Sequence, residues 1–202
     1  MSQQLDVIKK LLEIKSYIAN NLEKEGLMLL KELKDKGVLN KDFARENNWY
    51  VCNIIEIISC NNIFEFLNGY AELFDITRCK NIKRVLECSI SRNIDNTYVD
   101  IVLEEYKKRH DINAVNEILQ LNKENLTNAS IMLKLLRFYE DLNDIRDIEN
   151  LVTIVISNIN RIQDGKMLYV MSQEFKKYLN KESYEYILKR ACELGYKDAC
   201  IS

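Results

Sequence analysis

Four aromatic residues set the ruler for this chain. Tyr70, Tyr106, Tyr139 and Phe175 recur at spacings of 36, 33 and 36 residues. Seven residues before each anchor stands Ile63, Val99, Met132 or Leu168, and four before it Phe66, Val102, Leu135 or Met171. Apolar residues spaced three and four apart share one helix face, so a helix leads up to each aromatic. Five residues after the anchor comes Asp75, Asp111, Asp144 or Asn180. A short side chain of this kind accepts a hydrogen bond from the free amides at a helix start. Twelve after it comes Ile82, Ile118, Leu151 or Ile187. Each unit therefore reads as a helix, a short polar turn and a second helix, and a period of this length marks stacked supersecondary units. The first unit is the loosest, with Lys83 where the others have Leu119, Val152 and Leu188.

Composition agrees with helices. The chain has no proline and five glycines, too few for an all-β domain with many tight turns. Only Val152-Thr153-Ile154-Val155-Ile156 has strand-like propensity, and the repeat register places it on a second helix. We therefore expect an all-α protein: antiparallel helical hairpins stacked as a short α-solenoid over residues 60–202, behind an N-terminal helical bundle at 1–59.

Period and layout resemble tetratricopeptide-type repeats over about residues 60–200. That family places small residues where the two helices of a hairpin touch. Here those positions hold Leu67, Leu103, Leu136 and Ser172 on the first helix and Cys79, Val115, Ile148 and Tyr184 on the second. Larger side chains must widen the gap or change the crossing angle. The late alanine survives only as Ala191, and the closing proline is missing. The resemblance implies a degenerate array whose exposed first-helix positions bind peptides or partner helices.

Ahead of the repeats, helical periodicity spans about Gln3–Asn20 and Leu22–Lys36, with Gly37 placed to end the second helix. Gly26 leaves open whether the two are one bent helix. Asn40 can cap a short helix through Arg45, and Tyr50–Ile58 is apolar on most sides, as a buried helix is. Asp42 to Ile58 can also be laid over a DNA-binding helix-turn-helix. Its second helix would show Trp49, Tyr50, Asn53 and Glu56 and no cation, whereas DNA readers need cations for phosphates. An ordinary helix pair fits better, with Trp49 and Tyr50 as buried or half-buried anchors.

The search for chemistry returns little. Net charge is −2, with both signs interspersed, so neither nucleic acid nor an anionic membrane is an expected partner. No apolar run reaches the roughly 18 residues of a membrane span, and the first residues lack the pattern of a signal peptide. The cytoplasm is the expected location, with the six cysteines reduced and buried; Cys192 and Cys200 could meet across a turn at Gly195, although two buried thiols are the simpler reading. His110 is the only histidine, so no serine–histidine or cysteine–histidine site with a conventional base is available. It follows Lys107-Lys108-Arg109 and suits an exposed helix end. Asp164-Gly165-Lys166 is not a phosphate loop, because Asn160 stands where a further glycine is required. No cofactor or metal is expected.

These readings point to a non-catalytic protein-interaction module. The expected partner face comprises Asn61 and Asn68 in the first unit, Asp100, Glu104 and Lys107 in the second, Arg137 and Glu140 in the third, and Tyr169, Gln173 and Lys176 in the fourth. The last helix carries Tyr184, Ile187, Leu188 and Ala191 at helical spacing, with no further amphipathic helix to cover them. Self-association there, as a symmetric dimer, is expected. Two other classes stay open: a transcription regulator using the weak helix-turn-helix, and an enzyme with an unrecognised carboxylate site.

Overall fold

The computed structural model describes residues 2–200. Twelve α-helices and no strand occur among the described residues, so the fold is all-α. None of the helices is long and apolar enough to cross a membrane. The chain forms two compact units, Met1–Val85 and Leu86–Ser202. The division falls later than residue 59, because the stretch expected to open the hairpin array stays with the N-terminal helices.

The first unit contains α1 (Ser2–Ala19), α2 (Glu23–Asp35), α3 (Lys41–Glu46), α4 (Asn48–Ile57) and α5 (Ile63–Tyr70). The question left by Gly26 is settled in favour of two helices. Asn21 ends α1 in the left-handed region (φ 64°), and the amides of Asn21 and Leu22 bond to the carbonyls of Ile18 and Tyr17. This paired C-terminal motif normally favours glycine. Gly26 instead permits close crossing: a Cβ there would meet the Ile18 side chain at 2.9 Å and the Ile14 carbonyl oxygen at 3.2 Å. Beneath the crossing, Leu11, Ile14, Leu30, Ile54 and Ile55 are fully buried.

The first repeat unit departs from expectation. Asp75 caps only a 3₁₀ turn, Ile76–Arg78, by accepting from the Thr77 amide. The buried Asn48 side chain on α4 grips Asp75 from both sides, donating to its carbonyl at 3.2 Å and accepting from its amide at 3.1 Å. That clamp holds Asp75 in a turn, and the next helix, α6 (Lys83–Arg92), opens only at Lys83. Trp49 also departs from expectation. It is 62% exposed and meets Tyr50 edge-on, while Val51, Ile54 and Ile55 take the buried face of α4.

The other three units form hairpins. They are α7 (Thr97–Lys108) with α8 (Ile112–Asn122), α9 (Ala129–Asp141) with α10 (Ile145–Asn158), and α11 (Gly165–Glu174) with α12 (Lys181–Glu193). The first helices are neighbours in order, α7 against α9 and α9 against α11. Tyr106, Tyr139 and Phe175 are all buried. Asp111, Asp144 and Asn180 cap the second helices, accepting from the amides of Ala114, Asp147 and Ser183. Asn96, Asn128 and Asp164 do the same for the first helices. The strand-like Val152–Ile156 lies inside α10, where Ile154 and Val155 are buried, so packing overrides propensity. His110 and Asn143 end α7 and α9 in the left-handed region, one residue before each cap, and make each turn compact.

The expectation of six reduced thiols is corrected: among the described residues no cysteine is free. Cys52 on α4 pairs with Cys79, their Cα atoms 5.4 Å apart. Cys79 follows four residues after Asp75, so the Asn48–Asp75 clamp and the disulfide tie the same turn to α4. Cys192 pairs with Cys200 at 4.9 Å, because Gly195 (φ 93°) reverses the chain after α12 and a 3₁₀ turn, Lys197–Cys200, folds back.

Candidate functional site

The side-by-side packing of α7 and α9 creates a shallow groove of about 170 Å³. Leu103 and Phe138 form its floor, both buried. Four of the five face residues expected on these two helices line it: Asp100, Glu104 and Lys107 on α7, and Arg137 on α9. Most of the charge here is already matched. Lys134 reaches Asp95 at 2.7 Å and Asp100 at 2.9 Å. Burial alone would lower the Lys134 pKa, but these two carboxylates outweigh it and hold the ammonium above its ordinary value. Lys107 bridges Glu104 at 3.0 Å and Asp141 at 3.1 Å. Arg137 is exposed and pairs with no carboxylate among the described residues, although it lines the same groove. The sequence shows Lys134 and Arg137 as equivalent cations on one helix; only the fold separates the matched from the unmatched one.

The remaining face residues do not join this groove. Glu140 is engaged by the third hairpin, accepting from the Tyr178 hydroxyl at 2.9 Å and pairing with Lys177 at 3.2 Å. Tyr169 is half-buried against Tyr196, ring centroids 5.2 Å apart. Gln173 donates to the Tyr184 hydroxyl at 3.1 Å, and the Lys176 ammonium lies 5.2 Å from the centroid of the same ring. Asn61 and Asn68 are exposed and belong to the first unit.

Of the residues proposed for self-association, Ile187 and Ala191 are fully buried. They fill the α11/α12 hairpin and offer nothing to a partner. Tyr184 and Leu188 are half-exposed and line an open trough on α12.

Sequence reasoning missed a groove in the first unit. Between α2 and α5 lies a space of about 570 Å³ with Leu27, Met28, Phe66 and Tyr70 in its walls. Lys34 bonds to the Gly69 carbonyl and sits 5.1 Å from the Tyr70 ring centroid. Burial, and then the charge of Asp35, push the Tyr70 phenol up to about 12. The signal for this groove was Met28, apolar on the outer side of α2 and 58% exposed.

The helix-turn-helix reading meets a geometric obstacle. Asn53, one of the side chains it would aim at DNA, is buried in the first unit. No group of three or more metal-ligating side chains occurs among the described residues.

The chain belongs to the family described as "Domain of unknown function (DUF1955)", whose model matches residues 6–159. The match ends just after α10, so α11 and α12 lie outside it. No curated protein matches the chain. Among solved structures, it is similar to the crystal structure of a hypothetical protein from the hyperthermophilic archaeon Sulfolobus tokodaii, with 22% identity over 96% of each chain and a TM-score of 0.44.

Proposed function

We propose that this protein is a non-catalytic interaction module that takes a carboxylate-bearing peptide or partner helix across α7 and α9. The observation that carries this reading is Arg137: an exposed guanidinium, unmatched, in a groove whose other cations each hold two carboxylates. A guanidinium binds a carboxylate through two parallel hydrogen bonds, and the apolar floor of Leu103 and Phe138 gives a bound segment a surface to cover. The tetratricopeptide-like order of the hairpins supports the same reading, since such arrays present their first helices to partners.

A cytoplasmic location remains part of this proposal only for a cytosol that leaves the cysteines oxidised. Disulfides persist in non-reducing compartments, so alkylation of freshly lysed native cells reads the redox state directly.

The test is affinity capture from native lysate, comparing the wild type with Arg137→Glu and with Lys24→Glu, a change in the other unit. A partner held by the wild type and by Lys24→Glu, and lost with Arg137→Glu, is the expected result. Identical captures from all three refute the groove. Retention of random duplex DNA in a low-salt gel shift, weakening as salt rises, replaces this reading with the regulator.

A further inference from the structure

Outside the α7/α9 groove, the second unit carries an open, largely apolar surface on the outer face of α12. An open trough of about 840 Å³ runs between this helix and the 3₁₀ turn that follows it, with Tyr184, Leu188, Cys192 and Ala199 among its lining residues. The Cys192–Cys200 bond holds the turn against the helix, so the far wall is fixed. Gln173 and Lys176 border the Tyr184 end.

The charges along this trough have an order that specifies an occupant. Lys181, Glu185, Lys189 and Glu193 all line it, and they follow one another at four-residue steps, alternating plus, minus, plus, minus. Such a series is unchanged in sign pattern when slid by eight residues and inverted when read backwards. Two copies of α12 laid antiparallel about a two-fold axis level with Ile187 therefore set Glu185 of each copy against Lys189 of the other. The same axis sets Lys181 against Glu193. A parallel arrangement in register puts like charge against like. Leu188, one residue from the axis, meets its own copy at the centre, and Tyr184 and Cys192 lie one turn to either side.

We infer that α12 is the interface of an antiparallel, two-fold symmetric homodimer, held by the Tyr184–Leu188 strip and fixed in register by the Glu185–Lys189 and Lys181–Glu193 pairs. A symmetric interface of this kind must be self-complementary, and the alternating series meets that condition within one helix. Ile187 and Ala191 act from behind, anchoring the helix to α11. The groove at Arg137 takes no part, so the dimer and the peptide-binding reading stand or fall separately.

Every pair occurs twice in a two-fold dimer, so one substitution converts two attractive contacts into two repulsive ones. Exposed pairs are individually weak, but two attractions are lost and two repulsions gained together, so Glu185→Lys or Lys189→Glu each weakens the dimer about tenfold. The double variant, Glu185→Lys with Lys189→Glu, restores opposite charges across the axis and dimerises as the wild type does. Leu188→Glu dissociates it. The experiment is sedimentation equilibrium of the full chain without reductant, from about 1 to 200 μM, with circular dichroism to confirm that each variant keeps its helices. A monomeric wild type overturns the proposal. So do single variants as tight as the wild type, or a double variant no tighter than the singles, since either outcome removes the antiparallel register.

Discussion

Replacing Tyr139 gives the sharpest test of the hairpin register. Its ring is fully buried, on the last turns of α9, and its hydroxyl donates to Asn116 Oδ1 on α8 at 2.6 Å. One residue therefore fills its own hairpin and bonds to the preceding one. Tyr139→Ala removes both contributions, and emptying a buried aromatic site costs about 3–5 kcal/mol. Tyr139→Phe keeps the ring and removes only the hydrogen bond, a loss of about 1 kcal/mol, because half-buried Asn116 can turn to water. Urea denaturation followed at 222 nm measures both. For a unit of this size each kcal/mol moves the midpoint temperature by about 3–5 °C, so the alanine variant melts about 10–20 °C lower. A cycle with Asn116→Ala isolates the cross-hairpin bond, with an expected coupling of about 1 kcal/mol. Burial, and then the charges of Asp147 and Asp144, raise the Tyr139 phenol far above its ordinary value. Its ionisation therefore belongs to the unfolding step in an alkaline titration. An alanine variant with unchanged midpoint refutes the anchor assignment, and zero coupling refutes the bond.

Two further perturbations address the first unit. The Glu23 carboxylate accepts from the Ser59 amide and hydroxyl, both at 2.6 Å, and from the Asn62 side chain at 2.5 Å. Burial pushes its pKa up, but the Ser59 and Asn62 bonds and the charge of Arg84 outweigh burial and leave it below the ordinary 4.5. A depressed carboxylate contributes stability that is fully present above the unfolded-state value and lost as pH falls through the folded one. Glu23→Gln should therefore cost about 1–2 kcal/mol at pH 7, and the gap from wild type should shrink as pH falls below 4.5 and through the folded value; urea midpoints at several pH values read this, and a pH-independent gap refutes it. Cys52 and Cys79 are 27 residues apart, so removing that bond with paired alanines should cost about 3.5 kcal/mol through loop entropy, against about 2.5 kcal/mol for the Cys192–Cys200 loop. Calorimetry with and without a phosphine reductant tests it, and coincident melts of wild type refute a stabilising role.

The three hairpins of the second unit were legible because their signals are local and repeated. Asp111, Asp144 and Asn180 mark helix starts through side chains that reach only three residues ahead. Tyr106, Tyr139 and Phe175 mark buried faces through spacing alone. Even Val152–Ile156 could be placed, since the register around it outweighed its β-branched residues. The first unit failed by the same logic. Tyr70 and Asp75 carry the right residue types at the right spacing, yet Asp75 is held by Asn48, 27 residues earlier in the chain. A long-range clamp leaves no periodic trace, and Lys83 was the sole sign that the pattern had broken. Trp49 misled for a related reason: a large aromatic next to an apolar run reads as core, but the buried face of α4 is already filled by Val51, Ile54 and Ile55.

The candidate sites follow the same division between local and distant information. Arg137 and Leu188 could be picked out as exposed positions on helices, and the structure places both on grooves. What makes each of them distinctive is set by other helices. Arg137 is unmatched because Lys107 and Lys134 take the neighbouring carboxylates: Glu104 and Asp100 on α7, Asp141 on α9 and Asp95 before α7. Leu188 lies in a trough because Cys200 returns to Cys192 and fixes a wall beside it. The cysteine reading erred at this step. The six cysteines were assigned to a reduced core on composition, and a Cys192–Cys200 pairing was set aside in favour of two buried thiols. A bond depends instead on where a turn returns the chain, and both described bonds join a helix to the turn that folds back on it. The Gly195 reversal was visible in the sequence, and it carries Cys200 to the helix it had just left. A glycine between two cysteines eight residues apart was therefore the stronger signal, and the left-handed conformation it adopts outweighs the composition argument that assigned these side chains to a reduced core.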